Sequence, residues 1–151
     1  MTEFLETTYE KFIFRVKVGY LYSKEDFWVD IKGTVATMGL SDYLQKSKGD
    51  VAFLETAEPA TPVETGQESG KIETIKATFG IISPVTGKIV EVNSELEDSP
   101  HLLNSDCYGA GWIYKIDLTD PEEAKSALLE AESYMRLMRA KIEKEAKKLY
   151  G

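Results

Sequence analysis

Lys71-Ile72-Glu73-Thr74-Ile75 and Thr78-Phe79-Gly80-Ile81-Ile82 are two β-rich runs separated only by Lys76-Ala77. Branched and aromatic residues on both sides of so short a connection predict an antiparallel hairpin. Its tip then carries a lysine pointing into solvent. A turn lysine is ordinarily only a solvated charge, but the surroundings of this one are unusual. Glu73 stands three residues before it, and a second turn, Ser83-Pro84-Val85-Thr86-Gly87, places Gly87 eleven residues after it.

Working outward, the same grammar repeats. Phe12, Phe14, Val16 and Val18 alternate with Ile13, Arg15 and Lys17, which predicts a strand ending at Gly19. Trp28 to Met38 predicts a hairpin turning near Lys32-Gly33. Ser41 is an N-cap for one or two helical turns stopped by Gly49. Val51–Leu54 and Lys88–Val92 predict further strands, and Trp112–Leu118 the last one. Thr56–Gly70, with Pro59, Pro62, Gly66 and Gly70, reads as loops between short strands. Glu97-Asp98-Ser99-Pro100 opens a short helix or turn, and Thr2–Glu10 is a short helix or an ordered arm. Many short strands with a turn every 8–12 residues indicate a sandwich or flattened barrel.

The tail follows another period. Asp120 before Pro121 pairs an N-cap with proline at the first helical position, and Glu122 and Glu123 suit the positive helix start. Ala124, Leu128, Ala131, Met135, Met138, Ile142 and Leu149 then recur at spacings of four and three, interrupted at Glu145. Lys144, Lys147 and Lys148 gather at the negative end of the dipole. One amphipathic helix is expected, laying its stripe on its own domain or pairing with a second copy.

Composition narrows the function. The 151 residues fit one domain with a helical appendage. One Cys excludes a disulfide framework or a multi-thiolate metal site and suits a reducing compartment; one His makes histidine-rich metal sites and His-based acid–base pairs unexpected. The net charge of −8 argues against nucleic acid. It is not spread evenly: residues 1–50 carry −1, residues 51–118 carry −7 and residues 119–151 carry none. The acidic start at Glu3, Glu6 and Glu10 is unlike an export signal, and no apolar run approaches the length of a membrane span, so a cytoplasmic location is expected.

The motifs taken together resemble the glycine cleavage system H protein family of lipoyl carriers. That family shows Glu-Ser-Val-Lys-Ala around its lipoylated lysine, matched by Glu73-Thr74-Ile75-Lys76-Ala77. It continues Ala-Pro-Val-Ser-Gly-Glu-Val-Val-Glu-Val-Asn, matched by Ser83 to Asn93. Leu96-Glu97-Asp98-Ser99-Pro100, Leu102-Leu103-Asn104, Tyr108 to Ile116, Gly33 to Tyr43 and Gly49-Asp50-Val51 extend the likeness over about residues 20–135. The resemblance implies a mainly β lipoyl/biotinyl-carrier fold, a barrel-sandwich hybrid flattened into a sandwich with flanking helices. It implies lipoate bound covalently to Lys76, with Glu73 and Gly87 recognised by the lipoate-attaching enzyme, and a carrier without catalysis of its own. Its arm would shuttle an aminomethyl group among a pyridoxal-phosphate glycine decarboxylase, an aminomethyltransferase and dihydrolipoamide dehydrogenase. The expected organisation is an N-terminal extension at 1–19, a carrier domain at 20–118 and a C-terminal helix at 119–151.

Biotin carriers share the fold, but their lysine lies between methionines, whereas Ile75 and Ala77 flank Lys76. The lipoyl domains of 2-oxo acid dehydrogenases have an acidic residue directly before the lysine, where Ile75 stands. Departures from the family fall where the resemblance implies that it holds its cargo and in the loop ahead of the hairpin. Glu25-Asp26-Phe27-Trp28 replaces Ser-His-Glu-Trp, Gly80 replaces an Asp four residues after the lysine, and Ala60-Thr61 replaces Gly-Asp. These keep open an H-like carrier serving sulfur oxidation with a heterodisulfide-reductase-like complex, and an unmodified interaction module of the same fold. Cys107, in the place of a family Pro, reads as packing, His101 as an exposed loop residue, and Trp28 and Trp112 as core anchors.

Overall fold

Antiparallel pairing joins all the strands of the computed structural model, which describes residues 3–150. In chain order these are β1 (Phe4–Tyr9), β2 (Phe12–Lys17), β3 (Leu21–Tyr22), β4 (Phe27–Lys32), β5 (Val35–Leu40), α1 (Asp42–Lys48), β6 (Val51–Thr56) and β7 (Pro62–Val63). There follow β8 (Glu68–Thr74), β9 (Thr78–Ile82), β10 (Gly87–Val92), α2 (Glu95–Asp98), α3 (Leu102–Ser105), β11 (Tyr114–Leu118), α4 (Pro121–Ala127) and α5 (Ala131–Tyr150). A six-stranded sheet, β3-β4-β5-β11-β10-β7, and a three-stranded sheet, β6-β8-β9, form the sandwich, and β1-β2 stands as a separate hairpin. The mainly β architecture with flanking helices is the one the motifs implied, and the sheets do not close into a barrel.

Strand alternation sends successive side chains to opposite faces, and β4 uses both. Phe27 and Val29 face the core between the sheets, with Met38, Leu40, Ile72, Ile81 and Ile89. Trp28 faces the other way, into a second core with Phe14, Tyr22, Tyr108, Tyr134 and Met138. Its partner across the ladder is Gly39, where a Cβ would stand 2.7–2.9 Å from the indole ring atoms. The indole Nε1 donates to the Cys107 carbonyl at 2.7 Å. Trp28 thus anchors a core as expected, whereas Trp112 is only half-buried, with the Lys115 ammonium 5.1 Å from its ring centre.

Of the two expectations for the N-terminal segment, the ordered arm holds, and it is a strand. β1 pairs with β2 from Phe4↔Lys17 to Tyr9↔Phe12, turning through Glu10 at φ 53. It is clamped to the domain by the Arg15 amide, which donates to Asp42 Oδ2 at 2.9 Å, and by the Tyr108 hydroxyl, which donates to the Arg15 carbonyl at 2.7 Å. Of the alternating residues in the second strand, Phe14 and Val16 are buried while Phe12 and Val18 are exposed.

The tail is two helices, not one. Asp120 caps α4 through the Glu123 amide as expected. The break comes at Leu129, whose amide and carbonyl both pair with Tyr22 at 2.8 Å. Two backbone bonds to the edge strand β3 replace the helical bonds this residue would have made, and they also cover an open sheet edge. Ala131, Met135, Met138 and Ile142 of α5 are buried in the second core, so the stripe lies on its own chain. Tyr134, outside the stripe, is buried as well, stacked on Tyr22 at 4.5 Å. Lys144 and Lys147 are exposed near the helix end; the side chains of Lys148 and Leu149 lie outside those described. The stretch Glu97-Asp98-Ser99-Pro100 ends α2 and leads through a turn at Pro100-His101 into α3 at Leu102. No helix among the described residues is long and apolar enough to cross a membrane.

Candidate functional site

The β8–β9 hairpin forms as expected, with Glu73↔Thr78 its last ladder pair and Ile75-Lys76 at the bend. Lys76 and Glu73 are both exposed, and Ile75 stands 78% exposed beside the lysine. An apolar side chain this open at the tip contributes nothing to the core. Thr74 behaves oppositely. It is buried, its hydroxyl donates to the Lys48 carbonyl at 2.6 Å, and the same Thr74 Oγ1 accepts the Ala77 amide at 3.0 Å. The Ile75 amide donates to the Asp50 carbonyl at 3.1 Å. The tip is thereby fastened to the loop that ends α1.

Gly49 closes α1 at φ 89, as its place after the Ser41-capped helix predicted. A Cβ there would meet the Lys76 stem at 3.4–3.7 Å, so the lysine leaves the hairpin alongside the glycine backbone. Asn104 fixes this loop: its side chain donates to the Gly49 carbonyl at 3.0 Å and accepts from the Val51 amide at 2.9 Å. In the sequence Asn104 stands only within the Leu102-Leu103-Asn104 motif, and its spacing does not announce this contact.

Gly87 is not beside the lysine. It begins β10, after the whole of β9 and the Ser83–Thr86 turn, buried between β7 and β11. A Cβ on it would stand 2.2 Å from the Asp117 carbonyl oxygen. The structure therefore brings Glu73 and Lys76 together on one hairpin and gives Gly87 a packing role of its own.

A cavity of about 400 Å³ opens next to Lys76, between the β1–β2 hairpin, α1 and α5, with Phe12, Phe14, Tyr43 and Ile142 among its walls. The Tyr43 hydroxyl donates to Glu145 Oε1 at 3.1 Å; burial, then the Glu145 charge, pushes its pKa up to about 12. The positions where the chain departs from the family take distinct places. Phe27 is in the core, and Glu25 is half-buried. Gly80 faces Glu68, whose Oε1 would lie 2.3 Å from an added Cβ. Asp26 turns inward at φ 76, and its carboxylate accepts the Tyr134 hydroxyl at 2.7 Å and the Lys141 ammonium at 2.8 Å. Burial holds its pKa above the ordinary carboxylate range, against those two bonds. Cys107 is buried and its thiol pushed up to about 12, chiefly by burial, while His101 is exposed.

A flattened sandwich that lifts an exposed lysine on a braced turn has the form of a domain that presents a group to other proteins. Residues 20–141 match the family model described as the glycine cleavage H-protein. The mitochondrial glycine cleavage system H protein of Drosophila melanogaster is 41% identical over 110 residues, covering 72% of this chain and 67% of that protein. The crystal structure of a glycine cleavage system H protein from Mycobacterium marinum superposes with a TM-score of 0.68 at 30% identity, covering 77% of this chain and 93% of that one. The chain belongs to the glycine cleavage H-protein family, whose members are non-catalytic carriers holding lipoate covalently on a lysine.

Proposed function

We propose that Lys76 is the lysine that carries the lipoyl group, and that the protein serves the glycine cleavage cycle. The observation that carries this reading is the hairpin tip: Lys76 is exposed at the bend of a braced turn, with a clear lane along Gly49. The residues fit the group, because amide formation needs an accessible amine and a long arm needs a rigid mount. When bound, lipoate supplies a dithiolane whose reduced sulfur holds and releases an aminomethyl group. The chain's own part is to present the amine, to hold the tip rigid, and to offer Glu73 to the lipoate-attaching enzyme. Gly87 supports recognition through the shape of the domain it packs.

Glycine decarboxylase, an aminomethyltransferase and dihydrolipoamide dehydrogenase are the partners on this reading, met in the cytoplasm. The acidic segment 51–118, which holds the hairpin, then steers docking, and partner kinetics should weaken with salt. The extension at 1–19 contributes the β1–β2 hairpin, 20–118 is the carrier domain, and the segment 119–151 contributes α4 and α5 as a brace. Intact mass spectrometry of the protein from its host tests the central claim: one lipoyl group, lost in Lys76→Arg. An unmodified chain overturns it and leaves an interaction module.

One observation favours a second reading of the cargo. Asp26 is already paired with Lys141, and Phe27, where the family has a Glu, is a buried hydrocarbon ring with no carboxylate, so neither position offers a free carboxylate to an aminomethyl cation. An H-like carrier for a heterodisulfide-reductase-like complex accommodates that. Exchange of bicarbonate with glycine by the decarboxylase and the modified protein separates the two; absence of exchange rejects the glycine cargo.

A further inference from the structure

The tip that carries Lys76 lacks ordinary turn chemistry. Two-residue hairpin connections favour turns with positive φ, supplied by Gly, Asn or Asp. Here the central pair is Ile75-Lys76, and neither has a positive φ. A branched residue such as Ile75 resists that region. Something else must hold the turn. In a tight hairpin the two residues flanking the turn exchange two backbone bonds. Only one is made by backbone alone, from the Thr74 amide to the Ala77 carbonyl at 2.8 Å. The returning Ala77 amide goes to the Thr74 hydroxyl at 3.0 Å, and the Lys76 amide reaches the same oxygen at 3.3 Å. The hydroxyl's own proton goes to the Lys48 carbonyl at 2.6 Å. One side-chain oxygen thus closes the turn and ties it to the end of α1, against which the Lys76 stem lies.

We propose that Thr74 is a positioning residue for acylation of Lys76. The inference rests on the reading of Lys76 as the lipoylated lysine and adds what aims it. In the reaction, the deprotonated Nζ attacks the carbonyl carbon of a lipoyl adenylate, which lipoate and ATP form with release of pyrophosphate. The C–N bond forms, the C–O bond to AMP breaks, AMP leaves with the electron pair, and the nitrogen's extra proton passes to solvent. Serine at position 74 keeps both the acceptor and the donor. Valine keeps the shape and removes both, freeing two amides at the tip and releasing the tip from the Lys48 carbonyl.

The test uses the full unmodified chain with lipoate, ATP and a lipoate-attaching enzyme, following the mass increase. Thr74→Val should lower kcat/KM for attachment about tenfold, and Thr74→Ser should stay within about twofold, because a displaced acceptor atom is costly in an oriented reaction. A urea midpoint confirms that each variant is folded, and Thr74→Ala replaces Thr74→Val if the latter is not. Acetylation of Lys76 by a small acylating reagent, which does not read the turn's shape, should be unchanged in the valine variant. Attachment to Thr74→Val at the wild-type rate overturns the inference, as does a serine variant as slow as valine or an equal loss of acetylation. A wild-type chain that takes no lipoyl group overturns the carrier reading, and this inference with it; normal wild-type attachment with an unaffected valine variant overturns this inference alone.

Discussion

Gly87 lies eleven residues after Lys76 and packs between β7 and β11, and Gly87→Ala separates a recognition role from a packing one. The added Cβ would lie 2.2 Å from the Asp117 carbonyl oxygen, 2.9 Å from the Asp117 carbonyl carbon and 2.9 Å from Ile116 Cγ2. The two closest atoms belong to the β11 backbone, so no rotamer change relieves the contact. Restoring an ordinary carbon–oxygen separation needs roughly 1 Å of displacement between β10 and β11. Gly87 also pairs with Leu118 on one side and Val63 on the other, and that displacement strains both ladders. Overpacking of this kind costs about 1–3 kcal/mol, and weakening two ladder bonds adds about 1 kcal/mol. We expect a loss of about 3 kcal/mol, equivalent to about 6–12 °C in Tm for a chain of this length. Urea unfolding of the unmodified chain, followed by tryptophan fluorescence, measures it. Lipoyl attachment should be assayed well below the variant's midpoint, where the domain is folded. A midpoint unchanged from wild type refutes the steric argument. If attachment fails in that case, the attaching enzyme contacts Gly87 directly.

Three further outcomes follow from the second core. Asp26 has its pKa raised by burial, so the folded chain holds its proton more readily than the unfolded chain does. The contribution of Asp26 to stability is therefore greatest below the ordinary carboxylate range and falls as pH rises through the raised folded value. Asp26→Asn, which tolerates the positive φ, should remove that slope from a plot of urea midpoint against pH; an identical slope refutes it. Gly39→Ala should cost about 2 kcal/mol and shift the tryptophan emission, since the new Cβ meets the Trp28 indole at 2.7–2.9 Å. Cys107, with its thiol pushed up to about 12, should react with a thiol reagent at pH 8 at least about 100-fold more slowly in the native chain than in urea.

Local signals carried much of the fold. The β8–β9 hairpin, the turn at Lys32-Gly33, the Ser41 cap and the Asp120-Pro121 helix start were each written within a few residues. The charge of −7 over residues 51–118 and the lysine between two β-rich runs were legible in the same way. Such features depend on backbone preference and side-chain period, which neighbouring residues determine together. What escaped was long-range. Tyr22 with Leu129 divides the tail helix because two backbone bonds across more than a hundred residues outweigh a continuous 3.6-residue stripe. The N-terminal arm is a strand because β2 was there to pair with it.

The sequence by itself determined that a lysine would stand between two β-rich runs, since strand preference is set by neighbouring residues, and its motifs carried the likeness to a family of carriers. Tertiary structure alone decided how that lysine is aimed and what surrounds it. The Thr74 hydroxyl meets the Lys48 carbonyl, Asp26 meets Lys141, and Gly87 lies under Asp117. Each is a contact between residues distant in the chain, set by how the sheets and α5 pack, and distance along the chain does not encode it.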